Sequence, residues 1–218
     1  MLISVIIPVY RDADALSRTL AATSLGDAEA IVVVADGDES CAVLRAEHSA
    51  IRWMQAPRGR ARQMNAGAAV ARGRWLLFLH ADTTLPRGWY AVVERAAADP
   101  SVSVGCFRFA LGSHSWFARL LEFGVRLRVM IFRLPYGDQA LFIRRDVFSK
   151  LGGYSDVPIM EDVDLIRRLR VTGRLFMASE KAVTSARRWE EDGWLRRTAR
   201  HLSLIVRYFA GIPPERLV

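Results

Sequence analysis

Apolar positions in the first hundred residues form short, nearly continuous runs separated by polar, helix-spaced stretches. Residues 2–9 are one such run, rich in β-branched side chains and of the length of a buried strand. Residues 12–23 follow with helical spacing of Ala15, Leu16 and Leu20 behind an acidic start. Residues 28–35 hold Ile31-Val32-Val33-Val34 and read as a second buried strand, followed by the polar turn 36–40. A short third strand is expected over 51–55, and an alanine-rich helix over 60–72. Trp75-Leu76-Leu77-Phe78-Leu79 reads as a fourth strand, ended by the turn His80-Ala81-Asp82. A helix over 86–98 comes next, with Pro86 in its first turn.

The second half is less regular. Strands are expected over 102–111 and 139–144, with an extended segment over 183–189. Helices are expected over 115–134, 161–171 and 192–210.

Continuous apolar strands alternating with helices predict an α/β fold with a mostly parallel, Rossmann-like central sheet and helices on both faces. Ligands of such sheets bind beyond the carboxyl ends of the strands. Three polar turns fall there, after Val9, Ala35 and Leu79. With no repeat and no Gly/Ser linker, residues 1–218 read as a single domain. Residues up to about 100 form a nucleotide-binding half, and residues 101–218 an acceptor-facing half.

Composition narrows the partners. The net charge of +8 comes mostly from arginine and favours an anionic partner, whether a nucleotide diphosphate, an acidic membrane surface or nucleic acid. Cys41 and Cys106 form no metal-ligand pair and no disulfide framework, which predicts a reducing, cytoplasmic compartment. The apolar start lacks a positive leader and a cleavage site, so it reads as a strand and not a signal peptide. No stretch has the roughly 18 uninterrupted apolar residues of a spanning helix. The stretches 116–132 and 192–210 are apolar yet studded with arginine. Periodicity alone leaves open whether they cover the core or lie on the inner face of an anionic membrane.

Several residues can carry chemistry, and each has a plainer reading beside it. Asp82, just past a buried strand, is placed to hold a divalent cation on phosphate oxygens, or simply to begin a turn. Asp36 ends the second strand and can accept a bond from a nucleobase, or serve its own turn. Arg58, Arg60 and Arg62 surround Gly59 at a helix start, a composition shared by phosphate sites and ordinary basic helices. Glu161 and Asp162 open a helix, where a carboxylate can act as general base or merely suit the dipole. Arg188 and Trp189 can border a sugar or phosphate, or pack on the core.

Taken in order, Ser4 to Tyr10, Asp36-Gly37, Gly59 to Gly67 with Asn65, Phe78 to Thr83, Glu161-Asp162 and Arg187-Arg188-Trp189 resemble the family 2 glycosyltransferases of GT-A fold. The likeness spans nearly the whole chain and looks closest to a small bacterial, non-processive branch that also shows Pro135-Tyr136-Gly137-Asp138-Gln139. The resemblance implies a nucleotide-sugar donor, commonly a UDP-sugar, and a single inverting transfer to a hydroxyl acceptor, with a lipid-linked acceptor in view. It assigns Pro8, Val9 and Tyr10 to the base and ribose pocket and Asp36 to the base. Asn65 and the nearby arginines fall on the donor side, as does Ala81 within the motif His80-Ala81-Asp82. His80 and Asp82 stand where the family has Asp-x-Asp, with Asp82 on Mn²⁺ or Mg²⁺. Asp162 takes the catalytic base with Glu161 as its neighbour. Asp138, Gln139, Arg188 and Trp189 border the acceptor or diphosphate.

The sequence departs from the family at Ala35, which replaces one acid of an Asp-Asp pair. It also departs at Met64, where many members carry Arg, and at His80, which replaces the first acid of Asp-x-Asp. Ser185 replaces the Gln of processive synthases, which points away from polymer synthesis. A sugar-phosphate nucleotidyltransferase would need a glycine-rich loop where Pro8-Val9-Tyr10-Arg11-Asp12 stands. A non-catalytic basic protein would leave the acids at the strand ends unexplained. No nucleic-acid partner is expected.

Overall fold

The computed structural model describes residues 1–217. Its elements run β1 (Ile3–Val9), α1 (Ala13–Ala22), β2 (Glu29–Ala35), α2 (Ala42–Glu47), β3 (Arg52–Ala56), α3 (Arg60–Val70), β4 (Trp75–Phe78), β5 (Thr83–Thr84) and α4 (Trp89–Ala97). They continue with β6 (Val102–Leu111), α5 (Trp116–Phe132), β7 (Phe142–Arg144), α6 (Arg145–Lys150), α7 (Glu161–Leu169), β8 (Arg174–Thr184), α8 (Arg187–Asp192) and α9 (Trp194–Phe209).

One sheet runs through both halves in the order β3-β2-β1-β4-β7-β6-β8-β5. The pairs β3-β2, β2-β1, β1-β4 and β6-β8 are parallel, while β7 pairs antiparallel with both β4 and β6. The strict two-residue alternation of the strands splits the core over the two sheet faces. Ile6, Ile31, Val33, Leu76 and Phe78 face α3, α6 and α7. Val5, Ile7, Val32, Val34, Trp75 and Leu77 face α1, α2 and α4. Both faces being apolar is what makes these strands read as continuous hydrophobic runs.

The second half corrects four expectations. Strand structure begins at Phe142 and not at Gln139, because Gly137–Gln139 form a 3-10 turn. In that turn the Gln139 carboxamide oxygen accepts the Tyr136 N–H, and Ala140 takes a left-handed φ of 46° that breaks any strand. The expected extended segment at 183–189 ends at Thr184, and Arg187, Arg188 and Trp189 belong to the short helix α8. Helix α7 stops at Leu169, short of Val171. Strand β8 was not foreseen, since its exposed Arg174 and Lys181 and half-buried Glu180 break the apolar run.

The register sets Gly105 opposite Phe142, a ring buried among Trp75 and Phe107. A β-carbon at Gly105 would come within 2.2 Å of that ring. Gly105→Ala is expected to cost about 1–3 kcal/mol in urea unfolding, the usual penalty of overpacking a dense core.

Candidate active site

The carboxyl ends of β1 and β4 open onto a two-chambered cleft. The smaller chamber, about 250 Å³, is lined by Pro8, Val9, Tyr10, Asp12, Arg58 and Gln63 among others. The larger, about 350 Å³, is lined by Tyr136, Asp138, Glu161, Asp162 and Trp189, with α9 forming a further wall. Arg60, His80, Asp82 and Arg188 line both, so they stand at the junction.

Asp82 sits on a fixed turn. The Ala81 carbonyl accepts the Thr19 hydroxyl at 2.7 Å, and the Asp82 carbonyl accepts the Ser185 N–H at 2.9 Å. Buried Thr83 and Thr184 hydroxyls bond at 2.9 Å just behind it. The turn therefore has little freedom to swing its carboxylate away.

His80 is held against the turn at Gly137. A β-carbon there would lie 2.8 Å from His80 Nε2, so only glycine permits this approach. Burial, with Arg60 and Arg188 nearby, pushes the His80 pKa down to about 3. The imidazole is therefore neutral and keeps a lone pair on one nitrogen.

Asp162 opens α7 behind Met160, whose φ of 67° turns the chain sharply into the helix. One Asp162 oxygen accepts the Gly137 N–H at 2.7 Å and the other the Val163 N–H at 2.8 Å. These bonds fix the carboxylate while leaving each oxygen further acceptor capacity. Glu161 is buried and paired with Arg60 at 2.9 Å. Burial raises the Glu161 pKa against the pull of Arg60. Burial also raises Asp138 to about 6, with Arg128 opposing and Asp162 and Asp82 adding to the rise.

Tyr10 faces the Arg58 guanidinium at 4.3 Å from its ring centre. The positive φ of Arg11, Met160 and Ala140 places three strained non-glycine residues around the cleft, the kind of strain that collects at functional sites.

Four expected site residues do not line the cleft. Asp36 is exposed and lines neither chamber. Its neighbour Asp38 is the buried one, accepting the Arg11 N–H at 2.6 Å and the Ser40 N–H at 3.0 Å. Arg62 is paired on the surface with Asp156 at 2.7 Å. Asn65 clamps the Tyr154 backbone through both amide atoms, at 2.8 and 2.9 Å. Gln139 is buried, with its carboxamide donating to the Phe107 carbonyl at 3.1 Å.

Asp12, Tyr136 and Arg197 also line the cleft, and none of them was given a role from the sequence. Asp12 receives Arg187 at 3.0 Å and Arg188 at 3.5 Å, which ties α8 to the β1–α1 turn. Tyr136 Oη, Asp138 Oδ1, Trp189 Nε1 and Arg197 Nε are buried without a hydrogen-bond partner, and all four residues line the larger chamber. Buried polar atoms seldom stay unpaired, which makes these four candidates to meet a polar ligand.

The donor set bears on metal use. Among the described residues no three His, Cys, Asp or Glu side chains group to hold an ion. One carboxylate and one neutral imidazole do not make a closed cage. They fit a hard cation that takes its remaining ligands from phosphate and water.

The family model described as glycosyl transferase family 2 matches residues 4–152. The chain belongs to glycosyl transferase family 2. The match stops before Glu161, so it does not reach α7, α8 or α9. Among solved structures, this glycosyl transferase chain is similar to the mannosyltransferase PcManGT from Pyrobaculum calidifontis, in complex with GDP-Man and Mn²⁺. The TM-score is 0.69 at 21% identity, over 97% of this chain and 65% of that one. It is also similar to S. aureus TarS 1-349 in complex with UDP-GlcNAc, with TM-score 0.64 and 13% identity over 85% and 58% of the two chains. The chain thus spans less than two thirds of the length of these two structures. At these identities the likeness establishes the fold, GT-A, as the sequence resemblance led us to expect. No curated protein matches the chain significantly.

Two pH effects follow, with opposite signs. His80 has a folded pKa below its ordinary value, so its contribution to stability is lost as pH falls below about 6.5. Asp138 has a folded pKa of about 6, above its ordinary value, so its contribution is lost as pH rises from the usual carboxylate range through 6. Asp138→Asn should therefore stabilise the protein at about pH 8 relative to its effect at about pH 4, by about 1–3 kcal/mol. Urea unfolding at the two pH values checks it, and an effect independent of pH contradicts the raised pKa.

Proposed function

We propose that this glycosyl transferase moves one sugar from a nucleotide-sugar donor, a UDP-sugar in the first instance, to a hydroxyl acceptor with inversion. The observation that carries this reading is the meeting of His80, Asp82, Arg188 and Asp162 in one cleft at the carboxyl edge of the sheet. The structures of similar fold that hold GDP-Man with Mn²⁺ and UDP-GlcNAc support a nucleotide-sugar donor.

The smaller chamber takes the nucleoside, with Pro8, Val9 and Tyr10 as its wall and the Tyr10 ring facing the base. Arg58, Arg60 and Arg188 lie where the diphosphate would run between the chambers, and arginine forks suit phosphate oxygens. Asp82, with neutral His80 beside it, would hold Mn²⁺ or Mg²⁺ on that diphosphate. The bound ion would supply positive charge to the departing diphosphate.

The larger chamber takes the acceptor. Its unpaired donors on Trp189 and Arg197, with the Tyr136 hydroxyl and the free Asp138 oxygen, match a polyhydroxylated molecule. Asp162 takes the proton from the acceptor hydroxyl as its oxygen attacks the anomeric carbon. The bond from that carbon to the diphosphate breaks on the opposite side, and the nucleoside diphosphate leaves. Glu161, spent on Arg60, orients the arginine and does not touch the acceptor. The buried, unbridged Cys41 and Cys106 suit a cytoplasmic setting.

UDP with Mn²⁺ should raise the melting temperature, and Asp82→Ala should abolish the rise. Asp162→Asn should keep the rise but lower donor hydrolysis or transfer by about 10²–10⁴. A screen of UDP-, GDP- and TDP-sugars reads both effects. No shift with any nucleoside diphosphate, with or without metal, overturns the proposal.

A further inference from the structure

Helix α5 carries apolar residues on both its inner and its outer side. Its inner side puts Ala118 and Val129 in the core. Its outer side carries Trp116, Leu120, Phe123, Leu127, Met130 and Ile131, which lie one above another and point away from that core. Helix α9 does the same with Leu195, Leu202, Val206 and Phe209. All ten side chains are 45–71% exposed. A surface helix ordinarily turns its apolar stripe inward, so an outward stripe calls for a second covering.

The two helices lie side by side and run the same way. At their starts, Phe117 of α5 stacks near Trp194 of α9, with ring centres 6.3 Å apart. At their ends, both touch the C-terminal end of α7 and the residue that follows it. Arg170 donates to the Phe132 carbonyl, and Arg167 lies 5.7 Å from the Phe209 ring centre. The outward stripes therefore lie on neighbouring helices.

Charge says what covers it. Helix α9 contains no acid, and the one acid of α5, Glu122, is buried and bonded to Arg119. Arg119 and Arg126 flank the α5 stripe, and Arg196, Arg200 and Arg207 share another side of α9. A two-fold contact between copies would set these arginines against one another. An anionic lipid surface satisfies both the apolar stripe and its cationic margins. No helix among the described residues is long and apolar enough to cross a membrane.

We propose that α5 and α9 together form a platform that docks this protein on an anionic membrane surface. The platform does not depend on the transfer chemistry, but it adjoins it. The side of α9 away from its exposed stripe lines the acceptor chamber through Arg197, His201, Leu204 and Ile205. Docking therefore sets that chamber beside the lipid headgroups, where an acceptor carried by the membrane can reach it.

Flotation of the full chain with vesicles of phosphatidylcholine, with and without phosphatidylglycerol, tests this. Binding is expected only with phosphatidylglycerol, and it should weaken as salt rises. Phe123→Glu/Leu127→Glu should abolish it. Arg126→Glu should lower partitioning on the order of fivefold or more, the effect of one arginine near an anionic surface. All these sites are exposed, and melting curves check that the variants fold. Three results would each overturn the platform: no flotation with phosphatidylglycerol, flotation indifferent to the double substitution, or a self-associated dimer that the same substitution dissolves without any vesicle binding. Donor-induced melting shifts that persist in the double variant separate this outcome from a failure of the transfer reading.

Discussion

Four carboxyl groups, Asp82, Asp138, Glu161 and Asp162, share one cleft, and Arg60 makes that arrangement possible. Burying like charges together is costly unless a cation lies among them. Arg60 meets Glu161 directly, and its charge is felt by Asp138 and His80 as well. It opens α3, whereas Glu161 opens α7, so one ion pair also ties the first half of the chain to the second. The arginine that keeps Glu161 tolerable helps keep His80 neutral. The same electrostatic centre thus shapes both sides of the cleft.

Backbone geometry does the rest. The sheet changes from parallel to antiparallel at β7, between β4 and β6. The turn just before β7, from Tyr136 to Ala140, is thereby brought against His80 at the end of β4. Gly137 permits the contact and its N–H holds Asp162. The left-handed Met160 aims the start of α7 at the same point. The carboxylates of Asp82 and Asp162 are thus fixed in one frame, which is the kind of positioning that the proposed displacement would depend on.

The first half was legible because its strands are buried on both faces and read as plain apolar runs. The turns after Val9 and Leu79 fell where a parallel sheet needs its ligand edge, and both line the cleft. At the turn after Ala35 two aspartates stand close together and only burial separates them: Asp38 folds inward and accepts the Arg11 N–H, while Asp36 stays exposed. Arg62 and Asn65 have residue types that suit phosphate, but their partners, Asp156 and the Tyr154 backbone, are about ninety residues away in sequence. No local pattern announces such pairings. Strand β8 and helix α8 were hidden for the opposite reason, since their exposed charges obscure the period that would reveal them. The outward stripes of α5 and α9 were visible as apolar spacing, but their direction became clear only once the rest of the core was placed.

The central claim is that Asp82 and the diphosphate of a nucleotide share a metal ion at the junction of the two chambers. Anomalous diffraction from crystals grown with a nucleoside diphosphate and Mn²⁺ tests it most directly. The account predicts one strong manganese peak within bonding distance of an Asp82 oxygen, with the diphosphate between Arg58 and Arg188. A manganese peak away from Asp82, or a nucleotide bound outside this cleft, would contradict it.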